Sequence, residues 1–446
     1  MKKGLFRNFF GLLGRRPSSP KGPVDAATLG GLAEALLTVR GEASGVAMAR
    51  EILDDYALLS TAGRHAFLRI LAERFGSEPD RLGKAIAEYQ ASPGPRTATA
   101  LHAAAEPRRQ ELIRRLNLAP GGTLELVRMR EDLLAAMATR THPDLEAADA
   151  DFAHLFGSWF NRGFLVLKRI DWSTPAEVLE RVIRYEAVHA IASWEGLRRR
   201  LEPGDRRCFA FFHPRLADEP LIFVEVALTR AIPAAVAPLL SEKEPVEPRK
   251  ATTAVFYSIS SCLPGLKGVS FGNFLVKQVV EELRRELPSL KTFVTLSPLP
   301  GFGPWLARER EAAASGGAST LALPRREALR LLDHPSWPSH TQALRLLRPA
   351  LESAAAQYLL EARTPGGKPL DPVARFHLGN GARLEQLNWM GDPSAKGLKE
   401  GLGFMVNYLY DPSRIERNHE LFANRGTIVA APPVRDILRP ASRPHR

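Results

Sequence analysis

The sequence has few cysteines and no long apolar run. Its two cysteines, Cys208 and Cys262, are too few for a disulfide framework or a CxxC metal site, so the fold must depend on a hydrophobic core. No apolar stretch approaches the ~18 residues that a membrane-spanning helix needs. A hydrophobic share of 45% and a charged share of 25% exclude extensive disorder. We therefore predict a soluble cytoplasmic protein, and 446 residues are enough for two domains.

Acidic residues are scarce at both ends of the chain. Lys and Arg number 61 against 49 Asp and Glu, which gives a net charge of +12. Six of the excess charges lie in residues 1–22, which contain no acid, and three lie in residues 431–446. We predict a basic tail at each of these ends and a nearly neutral body. Because the body shows neither a basic cluster nor a recognisable nucleic-acid-binding module, we predict no nucleic-acid partner.

The N-terminal tail mixes basic and apolar residues in the sequence MKKGLFRNFFGLLGRR. This composition fits an organelle transit peptide, a weak membrane-surface helix or an unstructured basic tail. The apolar core of the segment is too short and too interrupted for a secretory signal. We favour the unstructured tail and leave the two other interpretations open.

Residues 23–163 show apolar residues at helical spacing and no alternation of the kind that β-strands have. The stripes include Leu29, Leu32 and Leu36; Phe67, Leu71 and Phe75; Leu82, Ile86 and Tyr89; and Leu112, Ile113 and Leu116. This pattern predicts a helical bundle. Because the region gathers no cluster of titratable residues, we expect it to mediate self-association and to contribute little to catalysis.

Residues 164–430 interleave strand-like and helix-like segments, as α/β and mixed α+β domains do. Strands are predicted at 164–167, 208–212, 221–228, 254–260, 291–296, 383–387 and 404–408, and a long helix at 175–199. The predicted fold class is therefore an all-helical bundle followed by an α/β domain.

A loop with three glycines links the strand at 254–260 to the next helix. Glycines let the backbone approach a ligand closely, and the N–H groups at a helix start favour a pyrophosphate, with Lys267 as an added charge. The loop is neither a Walker loop nor a GxGxxG fingerprint, so the glycine pattern taken alone favours an ordinary tight turn over a binding loop. The candidate binding residues are Lys267, Gly268, Val269, Ser270, Phe271, Gly272 and Asn273.

Two single residues are candidates for catalysis. Ser297 lies at the carboxyl end of the strand predicted at 291–296, and this end of the strands is where open α/β sheets bind ligands. Pro298 and Pro300 follow it and restrict the backbone. His377 lies beside a Gly-Asn-Gly turn and is suited to proton transfer near neutral pH. Each is weak evidence by itself, because a lone serine or histidine commonly has a structural role. No GxSxG elbow is present, so the sequence does not indicate an esterase.

Six segments together resemble the malonyl-CoA decarboxylase family, and they occur in that family's order over roughly residues 150–411. The segments are RRCFAFFHPRLADEPLIFVEVALT, AVFYSISSCLPGLKGVSFGNFLVKQVVEEL, FVTLSPLPGF, ARFHLGNGA, LNWMGD and GLGFMVNYLYD. The resemblance implies a catalytic domain related to the GNAT acetyltransferase fold, with the glycine-containing loop on the pyrophosphate of CoA. It implies Ser297 and His377 as the catalytic pair, and a tetramer. Some family members carry Glu where this chain has Ser270, so any role of that carboxylate is not expected here.

The implied reaction converts malonyl-CoA to acetyl-CoA and CO2 without a metal or an organic cofactor, since the thioester carbonyl accepts the electrons that CO2 leaves behind. We expect Ser297 to hydrogen-bond the malonyl group and His377 to donate the proton, although either could polarise the carbonyl. Two alternatives stay open. The first is an acyl-CoA-dependent N-acyltransferase on the same fold, and the second is a non-enzymatic CoA-binding scaffold.

Overall fold

The computed structural model describes residues 24–139, 142–216, 218–241, 245–269, 275–316 and 327–438. They form two compact units, which we call the helical unit and the sheet unit. The helical unit comprises the described residues up to Trp159 together with Leu263–Val269. The sheet unit comprises the described residues of Phe160–Cys262 and those from Leu275 onward. The sequence placed a boundary near residue 163, but it assigned Leu263–Val269 to the second domain.

The helical unit is built from α-helices joined by short turns. Its described helices are α1 Ala26–Thr38, α2 Glu42–Leu58, α3 Thr61–Arg74, α4 Pro79–Ala91, α5 Pro95–Ala105, α6 Arg108–Leu116, α7 Gly122–Thr139 and α8 Pro143–Trp159. Local signals explain several starts. Asp25 caps α1 by accepting a hydrogen bond from the Thr28 amide at 2.7 Å, and prolines occupy the first positions of α4 and α5.

Most of the predicted apolar stripes face the core of the helical unit. Leu29, Leu36, Phe67 and Leu112 are fully buried. The stripe on α4 differs, because Ile86 and Tyr89 remain 41% and 37% exposed. Helices α4 and α5 pack mainly on each other and leave this face uncovered within the unit.

The sheet unit contains one mixed sheet. Its described strands are β1 Val166–Ile170, β2 Arg206–Phe212, β3 Pro220–Thr229, β4 Thr253–Ser261, β5 Thr292–Thr295, β6 Ser297–Pro298, β7 Arg383–Asn388 and β8 Met405–Leu409. The strand order is β1-β2-β3-β4-β5-β8-β6, and β7 also pairs with β8. Strands β1 to β4 are successively antiparallel, whereas β4 and β5 are parallel.

Helices cover this sheet and connect its strands. They are α9 Ala176–Tyr185, α10 Trp194–Leu201, α11 Ala237–Leu240, α12 Leu275–Glu286, α13 Phe302–Ala314, α14 Thr341–Leu360, α15 Pro372–Gly379, α16 Ala395–Gly401, α17 Ile415–Arg425 and α18 Pro432–Asp436. The predicted fold class, a helical region followed by a mixed α/β region, is confirmed. No helix among the described residues is long and apolar enough to cross a membrane.

The long helix predicted at 175–199 is wrong, because the structure has two helices there, α9 and α10. The chain leaves the helical path at Glu186, whose carboxylate accepts hydrogen bonds from the amides of Val188 and His189 at 2.9 and 2.7 Å. These side-chain bonds satisfy amides that would otherwise continue the helix. The carboxylate also accepts from the hydroxyl of Ser258 on β4, which fixes the break against the sheet.

The two predicted tails have different outcomes. Residues 1–22 lie outside the described residues. The chain after residue 430 is partly folded, contrary to the predicted tail at 431–446. The amide of Ala431 donates to the Leu384 carbonyl at 2.8 Å, and Val434 of α18 is buried. Residues 439–446 lie outside the described residues.

Candidate active site

Ser297 begins the two-residue strand β6, immediately after β5. Leu296 between the two strands is fully buried, and its amide donates to the Phe256 carbonyl on β4 at 3.0 Å. The chain then pairs with β8, where Ser297 lies opposite Val406. The serine is therefore fixed by main-chain bonds on both sides, as its position after a strand suggested.

Two residues of β8, one through its side chain and one through its main chain, hold the bend between β5 and β6. The Asn407 amide group donates to the Thr295 carbonyl at 2.8 Å, and the Tyr408 main-chain amide donates to Thr295 Oγ1 at 3.2 Å. The Asn388 side chain on β7 donates in turn to Asn407 Oδ1 at 2.7 Å. Asn407 is fully buried, so its bonds are shielded from water.

His377 lies in the last turn of α15. This short helix has a clear start, since Asp371 accepts a hydrogen bond from the Ala374 amide at 2.8 Å and Pro372 takes the first helical position. It ends at a glycine turn in which Gly381 has φ +83°, and a Cβ on that residue would overlap the Ile415 carbonyl. The Gly-Asn-Gly sequence thus ends the helix just beyond His377.

The structure brings Ser297 and His377 together, although 80 positions separate them in the chain. Ser297 Oγ lies 2.9 Å from His377 Nε2 and 3.0 Å from Thr295 Oγ1. Both residues are buried, at 7% and 3% exposure. When Ser297 donates to Thr295, its oxygen is available to accept a hydrogen bond from Nε2–H.

Two tyrosines of the β8 region fix the imidazole of His377. Tyr410 Oη lies 2.9 Å from Nδ1, so both ring nitrogens have hydrogen-bond partners. The Tyr408 ring stacks on the imidazole, with centroids 4.5 Å apart. Partners at both nitrogens and a stacked ring restrict the rotation of the imidazole and direct Nε2 at the serine.

Burial sets the protonation state of this site. It penalises the imidazolium and lowers the pKa of His377 from 6.5 to about 3. Burial likewise raises the pKa of the Tyr410 hydroxyl above its usual value. At neutral pH the serine, the histidine and the tyrosine are therefore all uncharged.

Ser297 and His377 line a cavity of about 250 Å³ within the sheet unit. The described residues around it are mostly apolar, and none of them is Asp, Glu, Lys or Arg. They are Val188, Ile222, Phe256, Tyr257, Ile259, Ser261, Ser297, Pro298, Pro372, Val373, Phe376 and His377. The polar groups of the pair thus face an apolar chamber large enough for an acyl group.

The described candidate binding residues of the glycine-containing loop do not belong to the same compact unit as this pair. Lys267, Gly268 and Val269 are part of the helical unit. Gly268 has φ +79°, which favours glycine at this position. Ser270, Phe271, Gly272 and Asn273 lie outside the described residues.

The sequence did not single out Thr295, Tyr408 or Tyr410. Thr295 stands two positions before Ser297 in the segment FVTLSPLPGF, and both tyrosines stand in GLGFMVNYLYD. Each of these segments contributed to the family resemblance, but no spacing rule identifies the two tyrosines that contact His377, or the threonine that accepts the Ser297 hydroxyl.

Two family models match the chain over most of its length. Residues 163–446 match the malonyl-CoA decarboxylase C-terminal domain, and residues 75–160 match the malonyl-CoA decarboxylase N-terminal domain. The chain belongs to the malonyl-CoA decarboxylase family. The resemblance stated from the sequence is thereby confirmed, and the chain is an enzyme of the carboxy-lyase class.

Curated members of the family align with most of this chain. The mitochondrial malonyl-CoA decarboxylase of Anser anser anser is 35% identical over 394 residues, which cover 81% of this chain and 77% of the goose protein. The mitochondrial enzyme of Rattus norvegicus is 36% identical over 324 residues, which cover 68% of this chain and 65% of the rat protein.

Solved structures of bacterial members agree in fold. The malonyl-CoA decarboxylase of Rhodopseudomonas palustris has a TM-score of 0.89 at 56% identity, covering 93% of this chain and 100% of its own. The one from Agrobacterium vitis has a TM-score of 0.85 at 56% identity, with the same coverage. The one from Cupriavidus metallidurans has a TM-score of 0.71 at 35% identity, covering 93% of this chain and 99% of its own.

Proposed function

We propose that this chain converts malonyl-CoA to acetyl-CoA and CO2, with Ser297 and His377 at the reacting carbon. The observation that carries the proposal is the 2.9 Å contact between Ser297 Oγ and His377 Nε2 in the wall of an apolar cavity. Membership of the malonyl-CoA decarboxylase family supplies the substrate class.

The apolar lining favours loss of CO2 from a bound malonyl group. A carboxylate that enters the cavity gives up water and meets no charged side chain among the described lining residues. Its localised charge is poorly solvated there, whereas the enolate that forms as CO2 departs spreads charge over carbon and oxygen. The cavity therefore destabilises the reactant more than the transition state.

The electrons and the proton balance within the active site. As the bond between the α-carbon and the carboxylate breaks, its electron pair moves into the thioester carbonyl and CO2 leaves. A hydrogen-bond donor stabilises the enolate oxygen, and in our proposal the Ser297 hydroxyl takes this role by turning its single O–H from Thr295 Oγ1 to the enolate. The electron pair then forms a C–H bond, so each turnover consumes one proton.

His377 supplies that proton in our proposal. Its pKa of about 3 leaves the imidazole neutral at pH 7 before the substrate binds. Loss of CO2 leaves negative charge on the enolate beside the ring, which favours the imidazolium and raises its pKa, so the ring takes up a proton from the solvent at this stage. Transfer of this proton to the α-carbon returns the ring to its neutral state, ready for the next cycle.

We also propose that Lys267, Gly268 and Val269 contact the phosphates of CoA, together with Ser270, Phe271, Gly272 and Asn273. The family resemblance supports this assignment. Lys267 and Gly268 are exposed, so both are accessible to a charged ligand.

Self-association through the helical unit is part of the same proposal. The uncovered face of α4, with Ile86 and Tyr89, supports it, because exposed apolar residues at helical spacing are typical of helix–helix contacts.

A homotetramer and a cytoplasmic location stay predictions. Sedimentation of the purified protein and fractionation of its cells would test them.

The decisive experiment gives the purified protein malonyl-CoA alone. We expect acetyl-CoA and CO2 in equal amounts. Turnover that required an added amine acceptor would indicate an acyltransferase instead, and CoA binding without turnover would indicate a scaffold. The exposed His334, replaced by alanine, provides a control that should behave as the unchanged protein does.

A further inference from the structure

The segment Leu263–Val269 is built into the helical unit, although in sequence it follows β4 of the sheet unit. It begins with a 3-10 turn, Pro264–Leu266, in which Leu263, Gly265 and Leu266 are buried. Most of the segment therefore packs as a core element does. Only Pro264, Lys267 and Gly268 are exposed.

Arg130 of α7 holds the main chain of this segment. Its Nη1 donates to the carbonyl oxygens of Gly265 and Lys267 at 2.8 and 2.9 Å. Its Nε donates to Asp149 Oδ1 at 2.7 Å, which fixes the guanidinium from the other side. The Arg130 side chain is only 3% exposed, so these charge-assisted bonds are shielded from water.

Two further contacts keep the segment close to α7. The carboxylate of Glu131 accepts a hydrogen bond from the Gly265 amide at 3.2 Å. A Cβ on Gly265 would overlap the Val127 carbonyl, so only glycine permits this approach. Consecutive residues of one helix thus bind both the N–H and the C=O of Gly265.

The bond from Arg130 to Lys267 sets the direction of the next amide. In a trans peptide the N–H of Gly268 points opposite to the C=O of Lys267, and the described chain has no cis peptide. Because Arg130 draws that carbonyl towards α7, the Gly268 N–H is directed away from the helix. The left-handed conformation of Gly268, at φ +79°, then turns the chain on its exposed side.

We infer that Arg130 is a positioning residue for substrate binding, which orients the Gly268 amide and the Lys267 side chain towards the phosphates of malonyl-CoA. This inference rests on the proposed role of the loop in binding CoA. It changes the expectation drawn from the sequence, since it gives the helical unit a part in substrate affinity beyond assembly.

The test compares two substrates in the full-length protein. Malonyl-CoA carries the phosphates, whereas malonyl-pantetheine lacks them and keeps the reacting group. We expect Arg130→Met to raise KM for malonyl-CoA roughly 10- to 100-fold, since it removes charge-assisted hydrogen bonds. Its kcat, and its kinetics with malonyl-pantetheine, should match those of the unchanged protein. A purely structural role would affect both substrates alike.

Two further variants keep the test decisive. Arg128→Met removes an exposed arginine from the same helix, and it should leave the KM for malonyl-CoA and the KM for malonyl-pantetheine unchanged. Arg130→Lys keeps the charge but has a shorter reach, so it should restore part of the lost affinity, and it serves if Arg130→Met does not fold. An unchanged KM for malonyl-CoA in the Arg130 variants, or an equal rise for both substrates, would overturn the inference.

The same assay separates this inference from the proposals beneath it. If the unchanged protein turns over neither substrate, the proposed decarboxylase activity fails. If it turns over both substrates with the same KM, the loop does not bind the phosphates. The proposed role of the loop and the inference about Arg130 are then both refuted. If it prefers malonyl-CoA and the Arg130 variants keep the full preference, the role of Arg130 alone is refuted.

Discussion

Ser297 and the segment Leu263–Val269 differ in which part of the molecule holds them in place. Ser297 is held within the sheet unit, through main-chain pairing with β8 and through the contacts of its hydroxyl with Thr295 on β5 and His377 on α15. The segment is held by a side chain of the helical unit, Arg130, that lies more than 130 positions earlier in the chain. We propose that the first region acts on the reacting carbon and that the second binds the phosphates of CoA.

This difference predicts a separation of kinetic effects. Changes around Ser297 should act on kcat, because they alter interactions made at the α-carbon. Changes around Leu263–Val269 should act on KM, because binding energy from a remote part of the substrate is present before and during the reaction. The predictions below test this separation, starting with the largest expected effect.

Replacing His377 by alanine should lower kcat strongly and leave KM nearly unchanged. Loss of a positioned general acid typically costs about 10²- to 10⁴-fold in rate. Steady-state kinetics with malonyl-CoA measure both parameters, and His334→Ala is the matched surface control. Near-normal turnover by His377→Ala would assign this residue a structural role only.

Replacing Gly268 by valine should raise KM for malonyl-CoA more than Lys267→Ala does. No atom lies within 4 Å of a Cβ built on Gly268, so the cost comes from its φ of +79°, which a β-branched residue adopts only with about 1–3 kcal/mol of strain. Exposed Lys267 should contribute no more than about 1 kcal/mol. Similar losses for both variants in a CoA titration would contradict recognition by backbone geometry. We also predict that Gly272→Val raises KM for malonyl-CoA more than Lys267→Ala does. Gly272 lies outside the described residues.

Replacing Tyr410 by phenylalanine should lower kcat about fivefold and keep KM unchanged. The variant retains the ring but removes the hydrogen bond at His377 Nδ1, worth about 1 kcal/mol. Because the lost bond orients the imidazole, the pH dependence of kcat should shift as well. Tyr89→Phe on the exposed face of α4 is the control, and equal kinetics for both variants would exclude the orienting role.

The smallest expected effect concerns stability in acid. The pKa of His377 is lowered from 6.5 to about 3 on folding, so between these values the unfolded chain binds a proton that the folded protein does not. The free energy of unfolding should therefore fall as the pH drops below about 6.5, by up to about 1.4 kcal/mol per pH unit from this residue.

His189 contributes in the same direction, since burial lowers its pKa to about 4. His377→Gln should flatten the loss of stability between pH 7 and pH 5, as measured by urea unfolding. His334→Gln should keep the original slope. Identical slopes for both variants would show that His377 is not buried as a neutral ring.

Local patterns predicted much of the fold. Helical spacing located the helices of the helical unit, and the alternation of residues around Val255 and Tyr257 located β4. Local patterns failed at Glu186, where a carboxylate bonded to main-chain amides and to β4 interrupts a segment with good helical spacing. The interruption depends on a partner that is distant in sequence, which periodicity does not detect.

The active site was predicted only in part for the same reason. Ser297 and His377 were identified through their segments and the family resemblance, and the structure places them in contact. Tyr410 and Arg130 were missed because they act through contacts with residues that are remote in the sequence, and Thr295 was missed because its bond to nearby Ser297 leaves no pattern in the sequence. An arginine in the middle of α7 resembles any other charged helical residue until its carbonyl partners are known.

The most direct test of the central claim is a double-mutant cycle on Ser297 and His377. If the two side chains act as one unit in decarboxylation, kcat of the double variant Ser297→Ala with His377→Ala should be little lower than that of the poorer single variant. KM for malonyl-CoA should stay close to its original value in all three proteins. Losses in kcat that multiply would show that the two residues act independently, and would contradict the account.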